Sequence, residues 1–393
     1  MRSKRELGVW YWLDAGPQEE WEEDVKEMRY LEYDYVVASK MDLITNRNEE
    51  GIEEFINTCY KNGLSVYLCI WSGMLMYPFI GGRINQQVDE KGNRRDYYNL
   101  WNERWRKNFY KKYLQDIVSK YVDTPGLRGY LFDDTFASVA KQPGQGTYIS
   151  YSQEDIKRFR EYMKNRYGDI SVIHLLWREQ RGKGWKEILP PRSPDEPFWL
   201  DWYEARATWY EEWAKDTVSF IKEVDPHCEL YILDGAGIAA NQREYYGIDF
   251  QRVARYFDVV MLYAMPAGFE KPPIKMKPIL SHIDFMVRSV RNLVTQDKKV
   301  SFCFHIYQPF DNKNFDRVSS YPYPDIKQIK DMTTQAFFSG ADMVEHYGYR
   351  IGNWRLKDIS PGKPFPEVKT MLKYRKNLWE DLKKFNREVK HSI

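Results

Sequence analysis

The strongest constraint on the fold is an alternation, repeated eight times, between short apolar runs and long amphipathic helical stretches. Several helical stretches end at Asn-Gly, Pro-Gly or Ser-Gly just before the next apolar run, which is typical of helix C-termini. Near-continuous apolar strands that alternate with helices indicate a parallel sheet covered by helices. The strand candidates span residues 7–15, 33–40, 64–71, 127–134, 229–235, 258–265, 299–307 and 341–349.

Eight such units in 393 residues predict an α/β protein, a single (β/α)8 TIM-barrel domain over residues 1–393. A doubly wound open sheet is the alternative, but "DAGPQEEW" after the first strand lacks the GxGxxG spacing of a phosphate-binding loop. The connections after strands three and four, residues 72–99 and 137–200, are long. Because both leave the C-terminal ends of strands, we expect them to wall a substrate cleft.

Charge and hydropathy exclude several classes of partner. The formal net charge is +2 and the basic residues are dispersed, so we expect no nucleic-acid and no membrane partner. The chain contains no run of about 18 apolar residues, and its basic start lacks the apolar core of a signal peptide. We therefore expect a cytoplasmic protein. The abundance of Lys, Glu, Tyr and Trp is a thermophile-like composition. The oligomeric state stays open, a homo-oligomer included.

Carboxylates stand at the C-terminal ends of four predicted strands, where a barrel gathers side chains around one pocket. They are Asp14, the adjacent Asp133 and Asp134, Asp234, and Glu345. A helix cap explains Asp14 equally well, but one cap cannot use both members of the Asp pair. Carboxylates that face each other across an aromatic-walled pocket are typical of glycosidic bond cleavage. We predict Asp134 as the proton donor, Asp133 as the partner that raises its pKa, and Glu345 or Asp234 as the second carboxylate.

Aromatic residues near the same strand ends are candidate platforms for the apolar faces of sugars. Burial in the barrel core explains Trp10 and Trp12 equally well. His305 and Arg350 are candidates for contacts with hydroxyl or charged groups of the substrate, with internal hydrogen bonding as the alternative. The predicted substrate-binding residues are Trp10, Trp12, Asp14, Trp71, Tyr263, His305, Tyr307, Tyr347 and Arg350.

The strand ends predict neither a metal nor a cofactor. A metal-dependent hydrolase needs His-rich strand ends, and only His305 and His346 stand near them. A Schiff-base aldolase needs a lysine inside the barrel, for which Lys40 is the candidate.

Residues 159–206, from "FREYMKNRYGD" to "LDWYEAR", resemble glycoside hydrolase family 42, the barrel β-galactosidases. The shared progression is Tyr-Gly-Asp, Leu, Trp, Trp, Ile and Pro-Pro, followed by an Asp-Trp helix start. Residues 217–232 resemble the family's helix and Asp-Pro turn before strand five, and residues 335–352 resemble the Gly-Ala-Asp that precedes strand eight. The resemblance implies a glycoside hydrolase that acts on β-linked sugars.

The sequence also departs from that family. In family 42 the fourth strand ends in Asn-Glu, and the Glu is the acid/base. The same place in this chain reads Asp133-Asp134, so the resemblance implies that Asp134 takes this role. The nucleophilic Glu of the family ends strand seven, where this chain reads "HIYQ" and has no carboxylate. We also expect no counterpart here of the trimerisation domain that commonly follows the family's barrel.

Three mechanisms therefore stay open. Inversion would use Asp234 or Glu345 as base, and a different retaining pair would use one of them as nucleophile. In a substrate-assisted mechanism an N-acetyl group of the substrate attacks, and "YLFDDTF" resembles the Asp-Asp pair of hexosaminidases that work this way.

The sequence thus predicts a glycoside hydrolase that acts on an oligosaccharide or glycoside, a galactoside or related sugar, with amino sugars as an alternative. An N-acetylhexosaminidase-like enzyme is the second candidate. The candidate from another class is a carbohydrate-binding barrel that has lost catalysis, because the strand-seven Glu is missing.

Overall fold

The computed structural model describes residues 5–40, 43, 49–72, 85–133, 148–233, 247–264, 275–306, 324–352, 367–368 and 371–391. The strands are β1 (Glu6–Trp12), β2 (Tyr35–Ser39), β3 (Ser65–Ser72), β4 (Gln86–Val88), β5 (Arg94–Tyr98), β6 (Leu127–Asp133), β7 (Glu229–Leu233), β8 (Val259–Ala264), β9 (Lys299–His305), β10 (Met343–Gly352) and β11 (Glu367–Val368). The helices are α1 (Trp21–Tyr30), α2 (Ile52–Lys61), α3 (Lys111–Tyr121), α4 (Gln153–Tyr167), α5 (Ile170–Leu176), α6 (Trp199–Lys222), α7 (Phe250–Ala254), α8 (Met276–Leu293), α9 (Ile326–Ser339), α10 (Met371–Tyr374) and α11 (Trp379–Val389). A helical turn (Glu103–Trp105) and a π-helical segment (Arg106–Tyr110) lead directly into α3.

Eight strands close into a parallel barrel in the order β1-β2-β3-β6-β7-β8-β9-β10. Parallel pairing of β10 with β1 closes it, with Glu345 opposite Gly8. β4 and β5 form a separate antiparallel hairpin, and β11 pairs antiparallel with β10. The structure therefore confirms the predicted α/β class and the (β/α)8 TIM barrel. The single-domain organisation over residues 1–393 stays a prediction.

Local sequence signals set the helix boundaries. α4 begins at a capping box, in which the Asp155 N–H donates to the Ser152 hydroxyl and the Ser152 N–H donates to the Asp155 carboxylate. α9 begins at a second capping box, Asp325 with Gln328, and ends at Gly340, whose φ of 108° suits glycine.

Side chains alternate between the barrel interior and the helical layer. Tyr130 on β6 faces outward and donates a hydrogen bond to the Val118 carbonyl on α3, and Phe132 packs edge-on against Trp213 of α6. On the inside, a Cβ atom at Gly8 would lie 2.3 Å from the Tyr35 ring. Glycine at this position of β1 therefore makes room for Tyr35 to fill the interior.

Four charged residues and one tyrosine lie at the N-terminal mouth of the barrel. We call Glu6, Arg128, Glu229, Lys299 and Tyr67 the N-terminal cluster. The Arg128 guanidinium donates two hydrogen bonds of 2.9 Å to the Glu6 carboxylate and lies 3.2 Å from Glu229. Lys299 lies 2.8 Å from Glu229, which also accepts a hydrogen bond from Tyr67. Burial alone would raise the pKa of Glu229, but the hydrogen bonds from Lys299 and Tyr67 and the Arg128 charge lower it overall.

The described parts of the two long connections pack against each other. The β4–β5 hairpin follows β3, and the segment 148–151 follows β6. The two are joined by an antiparallel bridge between Asp89 and Ile149, and the Tyr151 N–H donates to the Val88 carbonyl at 3.1 Å. The hairpin turn is held by Asp89, which accepts the Asn93 N–H at 2.7 Å and pairs with Arg95 at 2.5 Å.

All four cysteines, Cys59, Cys69, Cys228 and Cys303, are buried and have free thiols. Among the described helices, none has both the length and the apolar character that crossing a lipid bilayer requires.

Candidate active site

Five of the predicted sugar-binding residues come together in the C-terminal half of the barrel interior, and we call them the aromatic layer: Trp10, Trp12, Tyr263, His305 and Tyr347. The Tyr347 ring lies 4.7 Å from Trp10, 4.9 Å from His305 and 5.7 Å from Tyr263, between centroids. The Trp12 indole N–H donates to the Tyr347 hydroxyl at 3.1 Å. Both tryptophans are buried, whereas Tyr263 at the end of β8 is half-buried. Within this layer, Tyr263 is the most exposed residue.

Glu345 lies deeper than the sequence predicts. The sequence places it at a strand end, but β10 continues to Gly352, so Glu345 is the third residue of its strand. Period-two alternation places it on the interior face with Tyr347, one layer closer to the N-terminal mouth. The Glu345 carboxyl group is fully buried.

Three hydroxyl groups donate to the Glu345 carboxylate, from Tyr35 on β2, Tyr231 on β7 and Ser301 on β9. The Tyr67 ring packs edge-on against Tyr35 and Tyr231, with centroids 5.4 Å and 4.8 Å away. Burial raises the pKa of Glu345 to about 7, although the three hydroxyl donors act in the opposite direction. This carboxyl group can therefore change its protonation state near neutral pH.

Asp133 is the last residue of β6 and is half-buried. Its charge reaches the interior, because the pKa of the buried Cys303 thiol is raised first by burial and then by the charges of Glu345 and Asp133. Cys303 pairs with Glu345 in the β9–β10 register and with Tyr263 in the β8–β9 register. Cys303 and Glu345 are therefore neighbours on adjacent strands, and Asp133 lies within electrostatic range of the Cys303 thiol.

Several predicted site residues lie outside the described residues. These are Asp134, which follows β6, Asp234, which follows β7, and Tyr307. Trp71 lies in β3, but its side chain is also outside the described set. Asp14 is half-buried in the short 3-10 turn Leu13–Ala15 that follows β1.

Arg350 lies on the outer side of the barrel wall, facing α1. Its guanidinium pairs with the buried Asp24 and with Glu20, both contributed by the start of α1 and the turn before it. Asp24 also accepts a hydrogen bond of 2.6 Å from Tyr11 and pairs with Lys373 at 2.5 Å. The structure therefore places Arg350 in an internal ion-pair network, the alternative to substrate binding that the sequence leaves open.

The other candidates for metal or Schiff-base chemistry make internal contacts. His346 faces α9, where its ring nitrogens contact the hydroxyls of Tyr33 at 2.6 Å and Thr333 at 2.9 Å, and burial lowers its pKa to about 3. The Lys40 ammonium donates to the Glu50 carbonyl at 2.6 Å. Within the described ranges, His, Cys, Asp and Glu side chains form no group of three or more that could hold a metal ion.

Sequence reasoning missed the hydroxyl groups around Glu345. The available signal is that Tyr35, Tyr231 and Ser301 occupy strand positions where a barrel interior usually has branched apolar side chains. Hydroxyl groups at such positions indicate that a buried polar partner lies opposite them.

Known proteins share the sequence pattern of this chain. The model of glycoside hydrolase family 42, described as beta-galactosidase, matches residues 10–355. The beta-galactosidase Bga of Halorubrum lacusprofundi is 25% identical over 246 residues, which cover 56% of this chain and 33% of that protein. The beta-galactosidase BgaA of a Thermus species is 24% identical over 221 residues, which cover 50% of this chain and 33% of that protein. The aligned part thus spans about a third of the length of each relative.

The fold is shared with a solved structure. The polyextremophilic beta-galactosidase from the Antarctic haloarchaeon Halorubrum lacusprofundi superimposes with a TM-score of 0.70 at 18% identity, covering 98% of this chain and 58% of that chain. At this identity the likeness concerns the fold alone, and it agrees with the closed barrel described above.

Proposed function

Because the chain belongs to glycoside hydrolase family 42, we propose that it is a glycoside hydrolase that cleaves β-linked sugars, galactosides or related ones, at the C-terminal face of its barrel. The family match over residues 10–355 carries this proposal, because it extends from β1 past β10. The half-buried Asp133 at the end of β6 and the half-buried Tyr263 at the end of β8 support a sugar site at this face. A cytoplasmic location and the absence of a nucleic-acid partner remain predictions from the sequence.

In this proposal Asp134 protonates the leaving oxygen. A general acid must hold its proton near neutral pH, and a neighbouring negative charge raises the pKa of a carboxyl group. Asp133 supplies such a charge from the adjacent position, and the effect of its charge on Cys303 supports an interior orientation. Asp133 is thus the positioning partner and Asp134 the catalytic acid.

For a mechanism that uses two protein carboxylates, we assign the second one to Asp234 rather than to Glu345. Glu345 is fully buried and holds three hydroxyl groups, so it has little capacity left to contact a sugar. Asp234 directly follows Leu233, the last residue of β7, and β7 is the neighbour of β6 in the barrel. A carboxylate there would serve as nucleophile or as base according to its distance from Asp134.

A substrate-assisted reaction is the second candidate, and the end of β9 favours it. The residues there are Cys303, Phe304 and His305, and the following "IYQ" also contains no carboxylate. The substrate's own acetamido group would then attack, with one aspartate of the pair orienting it and the other donating the proton.

Kinetics of Asp234→Asn and Glu345→Gln separate the candidates. Full activity of both variants, confined to N-acetylated substrates, would support the substrate-assisted route and remove both as second carboxylate.

The proposal is tested by measuring release of nitrophenol from a panel of nitrophenyl glycosides, including β-galactoside, β-glucoside, N-acetylated and free-amino sugars. We expect turnover of at least one β-glycoside and none of the matched α-glycosides. If every β-glycoside is bound but none is cleaved, the proposed hydrolase is wrong and the carbohydrate-binding barrel takes its place.

A further inference from the structure

A cavity of about 410 Å³ lies outside the barrel, between the two long connections. Its walls are the tip of the β4–β5 hairpin, the first turn of α4 and the loop 180–198 that precedes α6. Small-molecule sites in proteins have volumes of roughly 300–1,000 Å³, so this cavity is large enough for a ligand.

The cavity lies toward the C-terminal face of the barrel. α6 connects β6 to β7 and ends shortly before β7 begins, so its first residue lies near the end of the barrel where β6 finishes. Phe198, which immediately precedes α6, lines the cavity. The hairpin and Tyr151 also belong to connections that leave strand C-termini, β3 and β6 respectively. A substrate that extends outward from the barrel mouth can therefore reach this cavity.

The walls combine flat apolar faces with hydrogen-bonding groups. Tyr151, Phe198 and three prolines provide the apolar faces, and Gln153 and Gln180 provide amide groups. Such a combination fits sugar rings, which have apolar faces and a rim of hydroxyl groups. The charged lining residues are Asp89, Glu90, Glu187 and Glu196 against Lys183 and Arg192, so the carboxylates outnumber the cations. This excess disfavours anionic ligands and leaves an uncharged sugar as the best match.

Glu90 is a half-buried residue of the cavity wall. Burial raises the pKa of the Tyr151 hydroxyl and the charges of Glu90 and Glu196 add to this, so both carboxylates lie within electrostatic range of Tyr151. A sugar hydroxyl group is a donor that can hydrogen-bond to a carboxylate of this wall.

Backbone strain occurs on both sides of the cavity. Ser150, next to Tyr151, has a φ of 85°, and Phe198 has a φ of 71°, values that suit glycine better than either residue. Two of the three non-glycine residues with positive φ among the described residues therefore flank this site. Strain of this kind concentrates at ligand-binding sites, and both residues position an aromatic wall.

We propose that this cavity is a distal subsite that binds an uncharged sugar unit of a β-linked oligosaccharide while another unit of the same chain is cleaved at the barrel mouth. The inference rests on the proposed glycoside hydrolase function and extends it, because it assigns a preference for oligosaccharides over short glycosides. Glu90, Tyr151 and Phe198 make the principal contacts.

The test compares two substrates in a variant that fills the cavity. Gln153 is the exposed first residue of α4 and lines the cavity, so Gln153→Trp places a bulky ring in it. We expect KM for a β-linked galactotetraose to rise about tenfold and KM for nitrophenyl β-galactoside to stay unchanged. Glu154→Trp, one residue along and not part of the lining, is the matched control and should change neither value.

Glu90→Gln, which keeps the side-chain shape, should raise KM for the tetraose alone. Unchanged KM for the tetraose in both cavity variants, or equal changes for the two substrates, would overturn the distal subsite.

Failure of the proposed function gives a different result, namely no turnover of either substrate by the wild-type protein. The cavity is then judged by calorimetric titration of galactotetraose into the wild-type protein and the Gln153→Trp variant. Binding that is about tenfold weaker in the variant supports the subsite. Equal affinity, or no binding by the wild-type protein, rejects it.

Discussion

Glu229 and Glu345 both point into the barrel interior, yet their surroundings move their pKa values in opposite directions. Glu229 lies in the N-terminal cluster, where Lys299, Tyr67 and Arg128 together lower its pKa despite burial. Glu345 lies nearer the C-terminal end, where burial raises its pKa to about 7 and its hydrogen-bond donors are uncharged hydroxyl groups. Burial alone therefore does not decide the charge of a carboxyl group in this barrel. Burial and nearby cations act together: the Glu229 side chain is 29% exposed and meets two cations, whereas Glu345 is fully buried and its hydrogen-bond donors are uncharged hydroxyl groups.

The difference divides the barrel into two functional ends. At the N-terminal mouth, cations pair with Glu6 and Glu229, and the pKa of Glu229 is lowered. These pairs tie four strands together, which stabilises the fold. Toward the C-terminal end, Glu345 can gain or lose a proton near neutral pH. The charges of Glu345 and Asp133 both raise the pKa of the buried Cys303 thiol, after burial itself. This agrees with the general division of TIM barrels into a stability face and a catalytic face.

The largest effect is expected from Glu345→Gln, which should change how the free energy of unfolding depends on pH. Glu345 has a pKa of about 7 in the folded protein and near 4.5 when unfolded. Between these values the unfolded chain loses the proton while the folded protein keeps it, so stability falls as pH rises through this window. The expected fall is about 3 kcal/mol, and Glu345→Gln should abolish it. Urea unfolding at pH 4.5, 6 and 8 measures this. Curves of the variant and the wild-type protein that run parallel across this range would show that Glu345 is not the titrating group.

The next largest effect is expected from Arg128→Met in the N-terminal cluster. The substitution keeps an unbranched apolar stem but leaves the Glu6 and Glu229 carboxylates without their shared cation. Because the side chains of Arg128 and Glu6 are each 20% exposed, we expect a loss of about 2 kcal/mol, less than for a fully buried pair. The loss should grow as pH rises and Glu229 ionises, whereas the loss caused by Glu345→Gln should shrink as pH rises.

The matched control is Arg288→Met. Arg288 pairs with Asp284 at 2.8 Å on the exposed surface of α8, where such a pair contributes at most about 1 kcal/mol. Urea unfolding at pH 7 compares the two variants. Equal losses would remove the distinction between the N-terminal cluster and ordinary surface pairs.

The smallest effect is expected from Tyr35→Phe, which removes one of the three donors to Glu345. We expect a loss of about 1 kcal/mol and a higher pKa for Glu345, because a donor to the carboxylate favours its ionised form. Tyr33→Phe is the control: Tyr33 is equally buried but contacts His346 on the outer side of β10. It should lower stability by a similar amount without moving the pH midpoint of the Glu345 effect. A midpoint that moves alike in both variants would contradict the network.

The fold was predictable because each of its signals is local. Eight apolar runs, the helices between them and the length of the two long connections can all be read within short windows of the sequence. The aromatic layer was partly predictable for the same reason, since Trp10, Trp12, Tyr263, His305 and Tyr347 stand near strand ends. Their mutual packing required only that the barrel close.

The environment of the carboxylates was not predictable, because it depends on residues far apart in the chain. Tyr35 and Glu345 are 310 positions apart, and Arg350 and Asp24 are 326 apart, yet each pair is in hydrogen-bond contact. A position near a strand end indicates which face of the barrel a carboxylate approaches, but not how deep it lies or whether a cation meets it. Depth and pairing are what set the pKa, so Glu345 and Arg350 needed the structure.

The central claim is that Asp134 donates the proton at the catalytic end of the barrel, and Asp134→Asn tests it most directly. The amide keeps the shape of the side chain but cannot act as an acid, so kcat for a β-galactoside with an unactivated alkyl leaving group should fall by about 10²–10⁴-fold. A dinitrophenyl glycoside, whose leaving group needs no protonation, should lose far less. Asp123→Asn, the same substitution in the exposed turn before β6, should leave both rates unchanged. Near-wild-type turnover of the alkyl galactoside by Asp134→Asn would contradict the account.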